Sequence, residues 1–143
     1  MIKIVGFGFS KISAEKMKKE TKENVKASSN LSITEVEEEK IADLKDSGIM
    51  RVNFDFTTTY DPDFAKLVLS GTVITSIGKD NFKEVLKEWK EKRASDKTKL
   101  PILNLILAKC NLKCLQLEEE LGLPMHFPMP RVEPEEKQRS YTG

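Results

Sequence analysis

Alternating apolar and polar positions in the first half of the chain predict four β-strands. These segments lie at residues 2–12, 25–34, 50–57 and 65–77. The third has the cleanest alternation, with one apolar and one polar face, whereas the first carries apolar groups on both faces. Pro62, within the sequence YDPD, indicates a turn after the third strand, because proline fixes φ and aspartate can bond to nearby backbone. Residues 35–45 read as an acidic connector that could hold a helical turn.

Apolar residues then recur at the helical period. A first helix is predicted from the spacing of Phe82, Val85, Leu86 and Trp89. Asn81 and Glu84 form a capping box at its start, and it should extend to about Ala94. A second, longer helix is predicted at residues 99–121, and Gly122 suits the position just beyond its end.

The longer helix has two apolar faces rather than one. Its first face consists of Leu103, Ile106, Leu107, Cys110, Cys114, Leu117 and Leu121. Its second face consists of Leu105, Ala108, Leu112 and Leu115. Polar seams separate the two faces, and one seam includes Asn111 and Glu118. A surface helix needs a single apolar stripe to pack on its own core, so we predict that the second face is buried in a homodimer or homotetramer interface.

Four consecutive strands followed by two helices favour an α+β fold. We expect a four-stranded antiparallel meander sheet followed by two helices, the second of which packs in an oligomer interface. A chain of 143 residues is long enough for one domain with its own core. Residues 1–132 are therefore predicted to form a single domain, and residues 133–143 a disordered C-terminal tail.

The charge balance and the apolar pattern argue against several classes of protein. The chain has 24 Lys and Arg against 23 Asp and Glu, whereas nucleic-acid-binding proteins usually show a basic excess. No run of about 18 apolar residues predicts a membrane span, and the first residues lack the apolar stretch of a signal peptide. Two cysteines without a secretory context indicate reduced thiols. We expect a cytoplasmic protein that binds neither nucleic acid nor membrane.

No residue pattern indicates catalysis or a cofactor. Gly6 and Gly8 resemble the start of a dinucleotide-binding fingerprint, but Lys11 stands where the third glycine belongs and no helix follows at once. Asp61 and Asp63 flank a turn proline, and turn chemistry explains them. The chain is therefore expected to be no enzyme and to need no cofactor.

Cys110, Cys114 and His126 are the residues from which a metal site would be built. The two cysteines lie four residues apart on one helix face, but that face is the main apolar stripe, where free cysteine is a good core residue. Consecutive helical turns also orient the two thiols badly for a disulfide. We therefore expect buried structural thiols, a packing or solvent-facing histidine, and no metal.

Some apolar residues are not obviously needed by a core of four strands and two helices. They are Phe7, Phe9, Met125, Phe127 and Met129. Methionine and aromatic side chains suit adaptable apolar contacts. These residues could line a surface groove or could complete the core, and the sequence leaves both interpretations open.

The layout resembles that of the SecB export chaperones and their SecB-like relatives. The resemblance rests on the strand pair RVNFDFTTTYDPDFAKLVLSGTVITSI, the long helix after it and the segment LGLPMHFPMPRV, and it covers residues 2–132. It implies dimers of dimers that hold unfolded chains in apolar surface grooves without ATP. The formal net charge of +1 departs from the family, whose members are usually markedly acidic.

The resemblance favours an ATP-independent holdase that binds unfolded or partly folded polypeptide clients, with or without a link to protein export. The expected client contacts are then Phe7, Phe9, Met125, Phe127 and Met129. The alternative is a structural or adaptor oligomer whose apolar faces are all consumed by self-assembly. A third class is an enzyme or small-ligand-binding protein with a pocket between sheet and helices.

Overall fold

The computed structural model describes residues 2–17, 25–40 and 47–127. Four long strands pair into one antiparallel sheet, and two helices follow them. The elements are β1 (Ile2–Lys16), β2 (Lys26–Glu39), β3 (Ser47–Asp61), β4 (Ala65–Gly78), α1 (Lys79–Lys90) and α2 (Asp96–Leu121). The predicted α+β architecture is confirmed. The predicted disordered tail, residues 133–143, lies outside the described residues.

The strand order in the sheet is β1-β4-β3-β2. β2, β3 and β4 pair consecutively, as the predicted meander requires, but β1 pairs with β4 instead of β2. This is the order of a Greek key, with β1 and β2 at opposite edges. A period of two predicts which residues share a face of a strand, but it does not predict which strands are neighbours.

β2 is longer than predicted, because the acidic stretch that begins at Glu35 continues the strand to Glu39. The prediction of a connector over residues 35–45 is therefore wrong for residues 35–39, which belong to β2. A register shift between Ile33 and Glu35 interrupts the alternation and returns Val36 to the apolar face, opposite Val52. Charged side chains suit an edge strand, because they discourage pairing with other chains.

Both helices begin earlier than predicted. α1 follows β4 directly, with Gly78 at its N-cap and no side-chain cap, so the predicted capping box at Asn81 is wrong. α1 also ends at Lys90 rather than Ala94. α2 ends as predicted, because Gly122 adopts the left-handed conformation at φ 66° that closes a helix.

The core lies between one face of the sheet and the two helices. On β3 the side chains of Val52, Phe54 and Phe56 are buried, whereas those of Asp55 and Thr57 on the other face are not. The other face of the sheet is polar and internally hydrogen-bonded, for example from Ser70 to Asp55 and from Thr72 to Asn53. The core therefore has a single apolar layer.

α2 is long and apolar enough, by length and composition, to cross a membrane. This qualifies the expectation that no segment predicts a span. Within the fold, however, α2 packs on the sheet through Ile102, Ile106, Cys110 and Cys114, which are all buried. A helix that packs in the core of a protein can have the same length and composition, and the buried residues of α2 place it against the sheet.

Candidate functional site

The predicted contact residues Phe7 and Phe9 form an aromatic cluster with Phe54. The ring of Phe7 stacks on that of Phe54 with centroids 5.6 Å apart, and Phe9 meets both rings edge-on. Phe54 is fully buried, whereas Phe7 and Phe9 are half-buried on the edge strand β1. These two rings therefore contribute to the core and also reach the surface.

Gly71 allows this cluster to form. It lies on β4 between Phe9 of β1 and Phe54 of β3, directly opposite both residues. A Cβ atom at this position would lie 2.8 Å from Cζ of Phe54 and would also overlap the backbone carbonyl of Gly8. The missing side chain on β4 thus lets rings from strands two apart touch.

The other predicted contact residues lie beyond α2. Met125 is exposed, and the ring of Phe127 packs edge-on against His126 with centroids 4.7 Å apart. Phe127 lies near β2, so the two sets of predicted contacts are at opposite edges of the sheet. Met129 lies outside the described residues.

A buried hydrogen-bond network holds this C-terminal segment against the core. Glu118 of α2, only 2% exposed, accepts hydrogen bonds through Oε2 from Tyr60 and from Nδ1 of His126, the latter at 2.8 Å. Nε2 of His126 lies 2.8 Å from Oδ1 of Asn111. Burial, together with the hydrogen bond to Glu118, raises the pKa of Tyr60 far above its ordinary value.

This network was missed in the sequence, where Glu118 and Asn111 belong to a polar seam of the helix. The seam in fact faces the returning chain, and His126 packs as a buried, hydrogen-bonded group rather than in solvent. A buried carboxylate requires such partners, because leaving it without them is costly. The lone histidine eight residues after a helical glutamate was the available signal.

The two cysteines are buried in the main stripe of α2, as predicted. Burial raises the pKa of Cys110 to about 12 and that of Cys114 to about 11. Cys114 lies 3.8 Å from the hydroxyl of Thr58 on β3. Over residues 2–17, 25–40 and 47–127, no cluster of three or more His, Cys, Asp or Glu is placed to hold a metal ion.

Two surface cavities open beside β2. The first, about 330 Å³, lies between β2, β3, α2 and the C-terminal segment. Its lining residues are Ser29, Leu31, Phe56, Leu107, Asn111, His126 and Phe127. The hydrogen-bonded His126 and Asn111 thus contribute polar groups to a mostly apolar cavity.

The second cavity, about 710 Å³, lies beside the next residues of β2, from Ser32 to Glu37. The end of α1 and the start of α2 form its other wall. The residues of that wall are Trp89, Lys90, Lys92, Ala94 and Lys99. We call the two cavities together the β2 groove. They lie one after the other along residues 29–37 of β2, a strand segment of roughly 26 Å.

The predicted interface residues of α2 are partly open to solvent. Leu112 is 61% exposed and Ala108 is also exposed, whereas Leu105 and Leu115 are half-buried. A single exposed leucine on the outer side of a helix is common in proteins. Four apolar groups on one stripe form a patch, and such patches often mark interaction sites.

No family model matches this chain, and no curated protein matches its sequence. Among solved structures, the fold is similar to that of the SecB-like chaperone of Mycobacterium tuberculosis in complex with a ChAD peptide from the HigA1 antitoxin. The TM-score is 0.59 and the sequence identity is 10%, over 93% of this chain and 92% of that chain. At this identity, the similarity establishes a shared fold.

Proposed function

We propose that this protein is an ATP-independent holdase, without enzymatic activity, that binds extended segments of unfolded polypeptides in the β2 groove. The observation that carries the proposal is the position of this groove, which lies along the edge of the sheet and contains apolar groups such as Leu31, Trp89 and Phe127. The shared fold supports it, because the similar SecB-like chaperone was solved with a bound peptide.

The edge position suits an extended client. β2 pairs with β3 on one side only, so its other edge offers backbone N–H and C=O groups. An extended segment that adds to such an edge gains main-chain hydrogen bonds, while alternate side chains enter neighbouring pockets. This form of recognition tolerates many sequences, as a holdase requires, and involves no nucleotide.

The predicted client contacts divide between two places in this proposal. Phe127 lines the groove itself, and Met125 lies exposed beside it. Phe7 and Phe9 lie at the β1 edge, where their half-buried rings provide a second apolar surface for longer clients.

We further propose that the second stripe of α2 (Leu105, Ala108, Leu112 and Leu115) joins copies of this chain into a cytoplasmic homo-oligomer. The exposed Leu112 favours such a contact. The same observation favours the alternative function, a structural or adaptor oligomer. That function requires self-assembly to cover the β2 groove as well as the stripe, so that no client site remains.

Aggregation of a denatured client, followed by light scattering, tests the holdase proposal. The native protein should slow aggregation at near-stoichiometric ratio without nucleotide. Leu107→Ser should weaken this effect, because Leu107 lines the groove. Leu100→Ser is the matched control, since Leu100 is comparably exposed on the same helix but lies outside the groove. Equal activity of the two variants, or no suppression by the native protein, would contradict the proposal.

A further inference from the structure

The chain beyond α2 runs along the β2 groove. It returns along the helix toward the helix start, because successive residues meet earlier turns of α2. His126 contacts both Glu118 and Asn111. The next residue, Phe127, lines the first cavity together with Leu107. The last described residue thus lies in the groove, and the chain there runs toward the beginning of α2.

The second cavity is the next place on this path. Its walls include Lys99, near the start of α2, and residues 32–37 of β2. Since Leu31 lines the first cavity, the chain that passes Phe127 runs in the same direction as β2. Residues 128–143 follow Phe127 in the sequence. About six extended residues cover the roughly 20 Å from Leu31 to Glu37, so this segment is long enough to fill the second cavity.

The prolines of this segment follow a pattern. Its sequence is PMPRVEPEE from residue 128 onward, and Pro128, Pro130 and Pro134 all have even numbers. In an extended chain, the backbone N–H groups of alternate residues point to opposite edges. One edge of the segment therefore keeps the N–H groups of residues 129, 131 and 133, and only the other edge lacks donors. Proline is tolerated on edge strands where the missing N–H faces solvent.

We propose that residues 128–134 of this chain add to the free edge of β2 as an extended segment and occupy the second cavity. Residues 129, 131 and 133 bond to β2, while the prolines face solvent and prevent a further strand from adding. The segment fills the place that the proposed function assigns to clients, so it competes with them. The inference rests on the proposed holdase function and adds an intramolecular competitor to it.

The charges of the segment suit this placement. The register set in the first cavity brings Arg131 beside Glu35, because both strands advance at the same rise. A hydrogen bond with Glu37, together with the charge of Glu37, raises the pKa of Glu35, and Lys90 partly opposes this shift. Two carboxylates that crowd each other favour a further cation nearby, and Arg131 supplies it.

Three single substitutions in the full-length protein distinguish the two edges of the segment. Arg131→Pro and Glu133→Pro each remove an N–H from the pairing edge, whereas Val132→Pro removes one from the solvent edge. A labelled apolar peptide, followed by fluorescence anisotropy, should bind the first two variants about tenfold tighter than the unmodified protein, because a tethered competitor has been released. It should bind Val132→Pro like the unmodified protein. Since the two pairing-edge variants remove charges of opposite sign, a shared effect does not arise from charge.

The segment itself is a second probe. A labelled synthetic peptide of residues 128–136 should bind the Arg131→Pro protein, and the apolar peptide should displace it. It should bind the unmodified protein at least about tenfold more weakly, because the tethered copy already occupies the groove. The same peptide with proline in place of Arg131 is the matched control and should bind neither protein.

Equal binding of the apolar peptide to the unmodified protein and all three variants would overturn the intramolecular competitor and leave the holdase proposal standing. Tighter binding to Val132→Pro as well would overturn the pairing of alternate residues with β2. If the peptide of residues 128–136 binds the Arg131→Pro protein but no denatured client is held, the segment docks as proposed and the holdase proposal fails.

Discussion

Nδ1 of His126 lies 2.8 Å from Oε2 of Glu118, and the exposures of the two side chains are 3% and 2%. This pair joins the last turn of α2 to the chain that returns along it. Because Tyr60 of β3 bonds the same carboxylate, the contact also ties that returning chain to the sheet. The wall of the β2 groove that contains His126 and Phe127 therefore depends on this pair.

The first prediction concerns the stability of this pair. His126→Ala should lower the free energy of unfolding by about 1–3 kcal/mol, because it removes a donor from a buried carboxylate. Met125→Ala is the control, since Met125 is exposed and its truncation should change stability by less than about 0.5 kcal/mol. Urea denaturation measures both, and equal midpoints for the two variants would show that the buried pair contributes nothing.

The second prediction concerns alkaline pH. Burial raises the pKa of Cys110 to about 12 and of Cys114 to about 11, from an ordinary value of 9.0. Above that ordinary value the unfolded state loses protons that the folded state keeps, so the free energy of unfolding falls as pH rises. The loss should begin near pH 9 and continue toward pH 11, whereas between pH 7 and 8 these thiols contribute no slope.

Thermal unfolding between pH 7 and 11 measures this dependence. The double variant Cys110→Ala and Cys114→Ala should be less stable at pH 7, through lost packing, but should show a shallower alkaline decline. The raised pKa of the buried Tyr60 remains in both proteins and supplies the residual slope. If stability declines with the same slope in both proteins, the thiols are not the source of the alkaline decline.

The third prediction concerns assembly. Leu112→Asp should convert the proposed oligomer to smaller species without unfolding the subunit, because Leu112 is 61% exposed on a single chain. Light scattering after size-exclusion chromatography measures the mass, and circular dichroism checks the fold. Gln116→Asp, at another exposed position of α2, should leave the mass unchanged. A monodisperse monomer of the unmodified protein at micromolar concentration would rule out the proposed interface.

The fourth prediction concerns the aromatic cluster. Gly71→Ala should destabilise the protein by about 1–3 kcal/mol, because the added Cβ overlaps Phe54 and the backbone of Gly8. Gly8→Ala is the matched control on the neighbouring strand, where a Cβ meets nothing within 4 Å. Chemical denaturation compares them, and a Gly71→Ala protein as stable as Gly8→Ala would show that the close approach is not tight.

The fifth prediction concerns the rings at the β1 edge. The double variant Phe7→Leu with Phe9→Leu retains most of the apolar volume, so most of the protein should remain folded. It should nevertheless suppress client aggregation less well than the unmodified protein. Light scattering and urea denaturation on the same variant separate the two effects. If stability falls while suppression per folded molecule is unchanged, Phe7 and Phe9 serve the core alone.

The sequence predicted the elements that depend on local periodicity. Four strands, two helices and the glycine that ends α2 all follow from which residues alternate or recur along a short stretch. It predicted less well where a local pattern was interrupted. The register shift after Ile33 hid residues 35–39 of β2, and the direct junction at Gly78 replaced the predicted cap of α1.

Only the tertiary structure decided which distant residues meet. The β2 groove combines Leu31, Trp89 and Phe127, which lie on a strand, a helix and the C-terminal segment. The partners of Glu118 are equally remote, because Tyr60 precedes it by 58 residues. By itself the sequence determined the elements and their apolar faces, because these depend on neighbours a few positions away. The strand order and the packing of α2 against the sheet determined the candidate site, because they place non-local surfaces in contact.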